Sequence, residues 1–175
     1  SHIKTIKMAK KMKLNNAVVF EDDFVFTLPK HEVDNKINHF LNKFSNYDII
    51  QLTSVHKNLS DINDKHIKKV NSATTSSAYI INSKFYDKLI NDLTNSKNKM
   101  EQEMVEFNLK NKNILKKKRN TRYALDQHWN NLQKNSSWFI FDPYLGKQGG
   151  DAVNSSIMGS IESFTNNINF YKLQL

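Results

Sequence analysis

The chain has 175 residues, enough for one domain of ordinary size, and 38% of them are hydrophobic. It contains no cysteine, which excludes disulfides, thiol catalysis and thiolate metal sites, and no apolar run approaches the roughly 18 residues of a membrane span. The formal net charge of +9 favours anionic partners, including nucleotide phosphates, nucleic acid and acidic membranes. These features predict a soluble protein with a single domain over residues 1–175.

The chain begins with alternating helical and strand patterns. Apolar residues recur three positions apart from Ile3 to Met12, which predicts an amphipathic helix over residues 1–13. The uninterrupted apolar run at residues 17–20 predicts a strand buried on both faces, as in a parallel sheet. Further along, the same reasoning predicts helices at 33–44, 82–93 and 123–132, and strands at 48–53, 78–81 and 138–141.

Between these elements, the polar stretch at residues 94–122 predicts a helix followed by a mobile loop, with a basic run at 116–119. Helices that alternate with short buried strands are typical of an α/β fold. The sequence therefore predicts a mostly parallel sheet flanked by helices.

Three consecutive acids, Glu21, Asp22 and Asp23, close the first predicted strand in the segment AVVFEDDFVF. Burying several carboxylates together costs several kcal/mol per ion unless a cation or a cluster of donors compensates. Because ligands of open α/β sheets bind beyond the carboxyl ends of strands, and because carboxylates suit Mg²⁺ or Mn²⁺, the triplet predicts a metal that bridges substrate phosphates. Solvated turn residues are the alternative, which the apolar residues 24–26 make less favourable.

Four segments in order resemble family 25 glycosyltransferases, the lipopolysaccharide and procollagen galactosyltransferase group. They are SHIKTIKMAKKMKLNNAVVFEDDFVF with its Glu-Asp-Asp form of the DxD motif, SSAYIINSKFYDKLI, YALDQHW and FDPYLGKQGGDAVNSSIMG. The resemblance covers residues 1–159. It implies a GT-A fold, a uridine diphosphate (UDP) sugar as donor, Mn²⁺ or Mg²⁺ as cofactor, and transfer of galactose or glucose with inversion onto a hydroxyl of a glycan or collagen-like protein.

Under this resemblance, Asp22 and Asp23 would hold the metal, and Glu21, Asp22, Gln148 and Gly149 would contact the donor. An inverting transfer needs a base for the acceptor hydroxyl, and a carboxylate can serve. Asp126 is the first candidate, and Asp151 is a second candidate base or a metal ligand. Residues 154–156, which read Asn-Ser-Ser where family members often have a Ser-Asp pair, leave the acidic role of the last segment in doubt.

The chain also starts where the family would already have a nucleoside-binding strand and helix, so the sequence is expected to be the C-terminal part of a larger GT-A domain. The family setting suggests the cytoplasm, or the lumen of the endoplasmic reticulum for collagen-type acceptors. Oligomeric state is left open.

Two other classes of function remain open. Carboxylates on α/β sheets also serve metal-dependent phosphoryl transfer and nuclease chemistry. A non-catalytic module that binds glycans or nucleic acid is the second alternative, although the basic run at 116–119 contains no aromatic residue, which makes nucleic acid a less favoured partner.

Overall fold

The computed structural model describes residues 1–55, 57–110 and 123–149, with side chains as far as residue 106 in the long helix. The elements, in chain order, are α1 (His2–Lys11), β1 (Asn16–Phe20), β2 (Phe24–Phe26), α2 (Lys30–Lys43), β3 (Ile49–Gln51), β4 (Lys57–Asp61), β5 (Ile67–Ala73), β6 (Ala78–Asn82), a 3-10 turn (Ser83–Phe85), α3 (Tyr86–Lys110), α4 (Leu125–His128), α5 (Asn130–Gln133), β7 (Trp138–Phe141) and β8 (Gly146–Gln148).

Six of these strands form one mixed sheet in the order β1-β6-β3-β7-β5-β4. Strand β3 runs parallel to β7, whereas the β1–β6, β3–β6, β5–β7 and β4–β5 pairs are antiparallel. The predicted α/β class is confirmed, and the prediction of a mostly parallel sheet is wrong.

The burial of β1 explains why its sequence wrongly predicted a parallel strand. Its three central residues, Ala17, Val18 and Val19, are buried, as the sequence predicts for a parallel strand. Helices cover both faces of this sheet, however, so an antiparallel strand within it also has buried apolar side chains on both faces. Val19 packs with residues of α1 and α3, and Val18 packs with residues of α2 on the opposite face. Continuous burial therefore reports the two helical layers and not the strand direction.

Most predicted elements are present, and four strands are additional, namely β2, β4, β5 and β8. The helices and strands predicted from apolar spacing correspond to α1, α2, α3, β1, β3, β6 and β7, and the predicted helix at 123–132 is divided into the short helices α4 and α5. The β4–β5 hairpin was not predicted because β4, with the sequence KNLSD, is exposed along most of its length at the sheet edge.

A small second sheet pairs a strand from the first part of the chain with the last described strand. Strand β2 pairs antiparallel with β8, and the register places Phe24 opposite Gln148 and Phe26 opposite Gly146. Gly146 is required for this pairing because a Cβ there would lie 2.3 Å from Phe24 Cζ and 2.4 Å from the Val25 carbonyl oxygen. Close packing in the paired strands therefore explains this glycine.

None of the described helices combines the length and the apolar character that crossing a bilayer requires.

Candidate functional site

The three acids of the triplet diverge after β1. The Phe24 N–H donates to the Glu21 carbonyl oxygen at 3.2 Å, which closes a turn with Asp22 and Asp23 at its centre. Asp22 is exposed, whereas Glu21 and Asp23 are half-buried. The turn therefore separates the three carboxylates instead of gathering them into one cluster.

Glu21 is held by protein donors on the face of the sheet covered by α1. Its Oε1 accepts a hydrogen bond from His2 Nε2 at 3.1 Å and another from Ser76 Oγ at 2.6 Å. The bond from His2, supported by the bond from Ser76, lowers the pKa of Glu21 even though burial of the carboxylate acts in the opposite direction. Glu21 is therefore ionised and bound at neutral pH.

His2 extends this contact into the core. An ionised carboxylate only accepts, so Nε2–H donates to Glu21, and in the neutral ring Nδ1 accepts from the Tyr79 hydroxyl at 3.0 Å. Tyr79 is fully buried, and burial together with the Glu21 charge raises its pKa. The start of α1 is thereby tied to the end of β1 and to the middle of β6.

Asp23 makes the contact between the triplet and the distant Gln-Gly segment. Its Oδ2 accepts from Gln148 Nε2 at 2.8 Å, and its backbone carbonyl accepts from the Gly149 N–H at 2.6 Å. Its Oδ1 is buried and has no hydrogen-bond partner among the described residues. A buried carboxylate oxygen without a donor is costly, so Oδ1 of Asp23 would be stabilised by a cation or a donor.

A loop of hydroxyl residues, residues 74–77, lies between Glu21 and Asp126. The Thr75 N–H donates to Asp126 Oδ2 at 3.3 Å, while the Ser76 hydroxyl binds Glu21. Thr75 has a φ of 76°, a left-handed conformation that is unfavourable for a β-branched residue. Such strain persists only where surrounding contacts impose it, and it is common near functional sites.

Two buried glutamines impose the shape of this loop. Gln51 Nε2 donates to the Thr75 carbonyl at 3.0 Å, and its Oε1 accepts from Trp138 Nε1 at 3.1 Å. Gln133 pairs with both backbone groups of Ala73, accepting from its N–H at 2.7 Å and donating to its carbonyl at 2.8 Å. Neither glutamine was predicted from the sequence. For Gln51, the signal was a polar residue inside the apolar strand segment IIQL.

The short helix α4 carries Asp126 and is anchored from both sides. Asp126 faces the Thr75 amide, and His128 Nδ1 donates to Asp92 Oδ2 of α3 at 3.0 Å. Both members of the His128–Asp92 pair are largely buried, with 11% and 13% of their side-chain surface exposed. The pair fixes α4 against α3, and with it the position of Asp126.

Few of the described side chains at the site could bind a metal ion. Within the described residues, no three His, Asp or Glu side chains come together as a metal-binding group. The remaining carboxylates are those of Asp23, whose buried Oδ1 has no partner among the described residues, and of the neighbouring exposed Asp22. Mg²⁺ and Mn²⁺ sites often use one or two carboxylates, with substrate phosphates supplying other oxygens. The donor set therefore fits a metal that arrives with a phosphorylated substrate.

The structure thus brings Asp23, Gln148 and Gly149 into contact, and it connects Glu21 with Asp126 through the loop at residues 74–77. The second candidate base, Asp151, lies outside the described residues. So do the segment 154–156 and the basic run at 116–119.

Comparison with known proteins gives no family for this chain. No protein-family model matches the sequence, and no curated protein matches it.

Proposed function

We propose that the protein is a metal-dependent glycosyltransferase that moves a hexose, galactose or glucose, from a UDP-sugar to a hydroxyl acceptor with inversion at the sugar carbon. The observation that carries the proposal is the junction of Asp23 with Gln148 and Gly149, two segments 125 residues apart, around a buried carboxylate oxygen without a partner. The sequence resemblance assigns these same segments to the donor site.

In this proposal Asp23, with Asp22 beside it, would hold Mn²⁺ or Mg²⁺ together with the donor diphosphate. The bound metal would supply charge neutralisation for the diphosphate leaving group. Gln148 already donates to Asp23, and its side-chain oxygen is left to accept a hydrogen bond from a sugar hydroxyl. The absence of a side chain at Gly149 would let a ligand approach the backbone closely.

Asp126 is proposed as the base. Its bond from the Thr75 amide fixes one carboxylate oxygen and thereby orients the group. As the acceptor oxygen bonds to the anomeric carbon of the sugar, the bond from that carbon to the diphosphate oxygen breaks, and the acceptor proton passes to Asp126. The acceptor would be a glycan or a collagen-like protein.

Glu21 has a different role in this proposal from the one the sequence suggested. Its contacts to His2 and Ser76 satisfy its charge, so it positions the loop at residues 74–77 and does not itself bind the donor. The loop in turn places the Thr75 amide against Asp126.

Isothermal titration calorimetry with UDP-galactose and UDP-glucose, with and without Mn²⁺, tests the proposal. We expect Asp23→Asn to weaken metal-dependent donor binding at least about 10-fold because it removes the negative charge of the carboxylate proposed to hold the metal. Asp126→Asn should leave donor binding unchanged and lower transfer about 100-fold or more, as loss of a general base does. Asp61→Asn on the far edge strand, where 86% of the side chain is exposed, is the matched control.

Absence of UDP-sugar binding by the wild-type chain in the presence of either metal would overturn the proposal. Metal-dependent cleavage of a phosphodiester without UDP-sugar binding would instead identify the phosphoryl-transfer alternative. Loss of donor binding in Asp126→Asn would contradict the role of Asp126 as base.

A further inference from the structure

The solvent face of α1 carries an unbalanced positive charge. Lys4, Lys7 and Lys11 are exposed and recur at helical spacing, so their side chains lie on one side of the helix together with Met8. The opposite side of α1 is buried through Ile6 and Ala9, which fixes the lysine side toward solvent. The orientation of this face is therefore set by the core.

Few acids compensate these lysines. Residues 1–20 contain no aspartate or glutamate. Lys10, at the edge of the face, pairs with Asp87 of α3 at 2.5 Å. Among the described residues, no carboxylate lies within 4.0 Å of the side-chain nitrogens of Lys4, Lys7, Lys11 or Lys13. Within the described part of the chain, this face thus presents cationic groups without a carboxylate partner, which attract an anionic surface.

Apolar side chains are exposed among the lysines. Met8 is 50% exposed and Met12 is 42% exposed, although large apolar side chains gain by leaving water. A helix that combines lysines with flexible apolar side chains on its outer face can lie in the interface of a bilayer, with the ammonium groups at the lipid phosphates and the apolar groups between headgroups. At about 1.5 Å per residue, α1 offers a contact about 15 Å long.

We propose that the outer face of α1, formed by Lys4, Lys7, Met8, Lys11 and Met12, docks on an anionic phospholipid surface. Nucleic acid is the less suitable partner because this face offers lysine point charges and methionines, without the aromatic or planar groups that stack on bases. The inference goes beyond the proposed function and does not depend on it.

The position of α1 gives the docking a consequence. His2, the first residue of α1, binds Glu21, so the basic face begins beside the candidate site. A chain held on a membrane through α1 would therefore keep this site close to the lipid surface.

Co-sedimentation with vesicles tests the proposal, using phosphatidylcholine alone and phosphatidylcholine mixed with phosphatidylglycerol, at low and at high salt. We expect binding to the anionic vesicles, weakened by salt, and little binding to phosphatidylcholine alone. Reversing Lys4, Lys7 and Lys11 to glutamate should weaken anionic binding by about 100-fold or more, since each lysine near such a surface contributes about a factor of five and the three contributions multiply.

A charge-matched control reverses Lys57, Lys65 and Lys134, which are exposed and belong to the β4–β5 side of the sheet, away from β1. This control should retain most of the anionic binding. Met8→Gln should weaken binding several-fold while leaving its salt dependence unchanged. Circular dichroism of each variant establishes that it is folded.

Three results would overturn the proposal. They are the absence of binding to anionic vesicles at low salt, equal losses in the α1 variant and the charge-matched control, and tighter binding to duplex DNA or RNA than to anionic vesicles under the same conditions.

Discussion

Glu21 shows how one residue of the acidic triplet meets the cost of burial. Two protein donors, His2 and Ser76, compensate its charge, and their hydrogen bonds lower its pKa from the ordinary value of 4.5. A carboxylate with a lowered folded pKa contributes stability that is present above the unfolded pKa and is lost as the pH falls through the folded pKa.

This direction of the pH dependence of stability gives a prediction for Glu21→Gln, measured by urea unfolding across a pH series. Above pH 4.5 the substitution should lower the free energy of unfolding by about 1 kcal/mol, because it removes a charge-assisted pair of hydrogen bonds. The difference from wild type should shrink as the pH falls below 4.5. A difference that stays constant over this range would contradict the assigned ionisation, and the exposed Asp61→Asn serves as control.

Residue identities alone could indicate that the triplet needed partners, but not which partners. The acids at the end of an apolar strand were visible in the sequence, and so was the Gln-Gly segment. One partner of Glu21 is Ser76, 55 positions away, and a partner of Asp23 is Gln148, 125 positions away. Such choices depend on loop geometry, which local patterns do not encode.

At the scale of elements, the β2–β8 pair is what holds the Asp23–Gln148 contact. Phe24 lies opposite Gln148, and Gly146 lies opposite Phe26 at the other end of the pair. An aromatic cluster supports β2. Its rings, those of Phe20, Phe24 and Phe26, have centroids 5.0–5.6 Å apart. Three-residue strands are too short to persist without such packing.

We therefore predict that Gly146→Ala lowers the free energy of unfolding by about 2 kcal/mol, the typical cost of forcing extra atoms into a packed site. The added Cβ would lie 2.3 Å from the Phe24 ring and 2.4 Å from the Val25 carbonyl, so the pair must separate or shift. Urea unfolding measures the loss. Wild-type stability in this variant would show that the pairing tolerates a side chain and would contradict the packing account.

Elements with a buried, periodic face were predictable, and exposed ones were not. The apolar spacing of residues 33–44 is confirmed in α2, because its Val33, Ile37 and Phe40 pack on the sheet. Strand β4 carries no such signal because it pairs at the edge and leaves most of its side chains in water. Strand β4 forms because it pairs with the neighbouring strand β5, and the sequence of β4 alone does not indicate this pairing.

For the whole molecule, the α/β class followed from alternation of helical and strand patterns, whereas the sheet direction did not. Strand direction depends on how each connection crosses the sheet, and residues buried by helices on both faces look alike in either direction. The candidate site is likewise a property of the whole chain. It requires the first strand, the loop before β6 and the last described strand to meet at one end of the sheet.

In the proposed function, a divalent metal and a donor diphosphate meet at the Asp23–Gln148 junction. Mn²⁺-induced broadening of backbone amide signals in NMR spectra tests this proposal. With UDP-galactose present, we predict that Mn²⁺ broadens the signals of residues 22–24 and 147–149 first, leaves that of Asp61 sharp, and loses this effect in Asp23→Asn. Broadening that is absent from these residues, or that persists unchanged in Asp23→Asn, would contradict the claim.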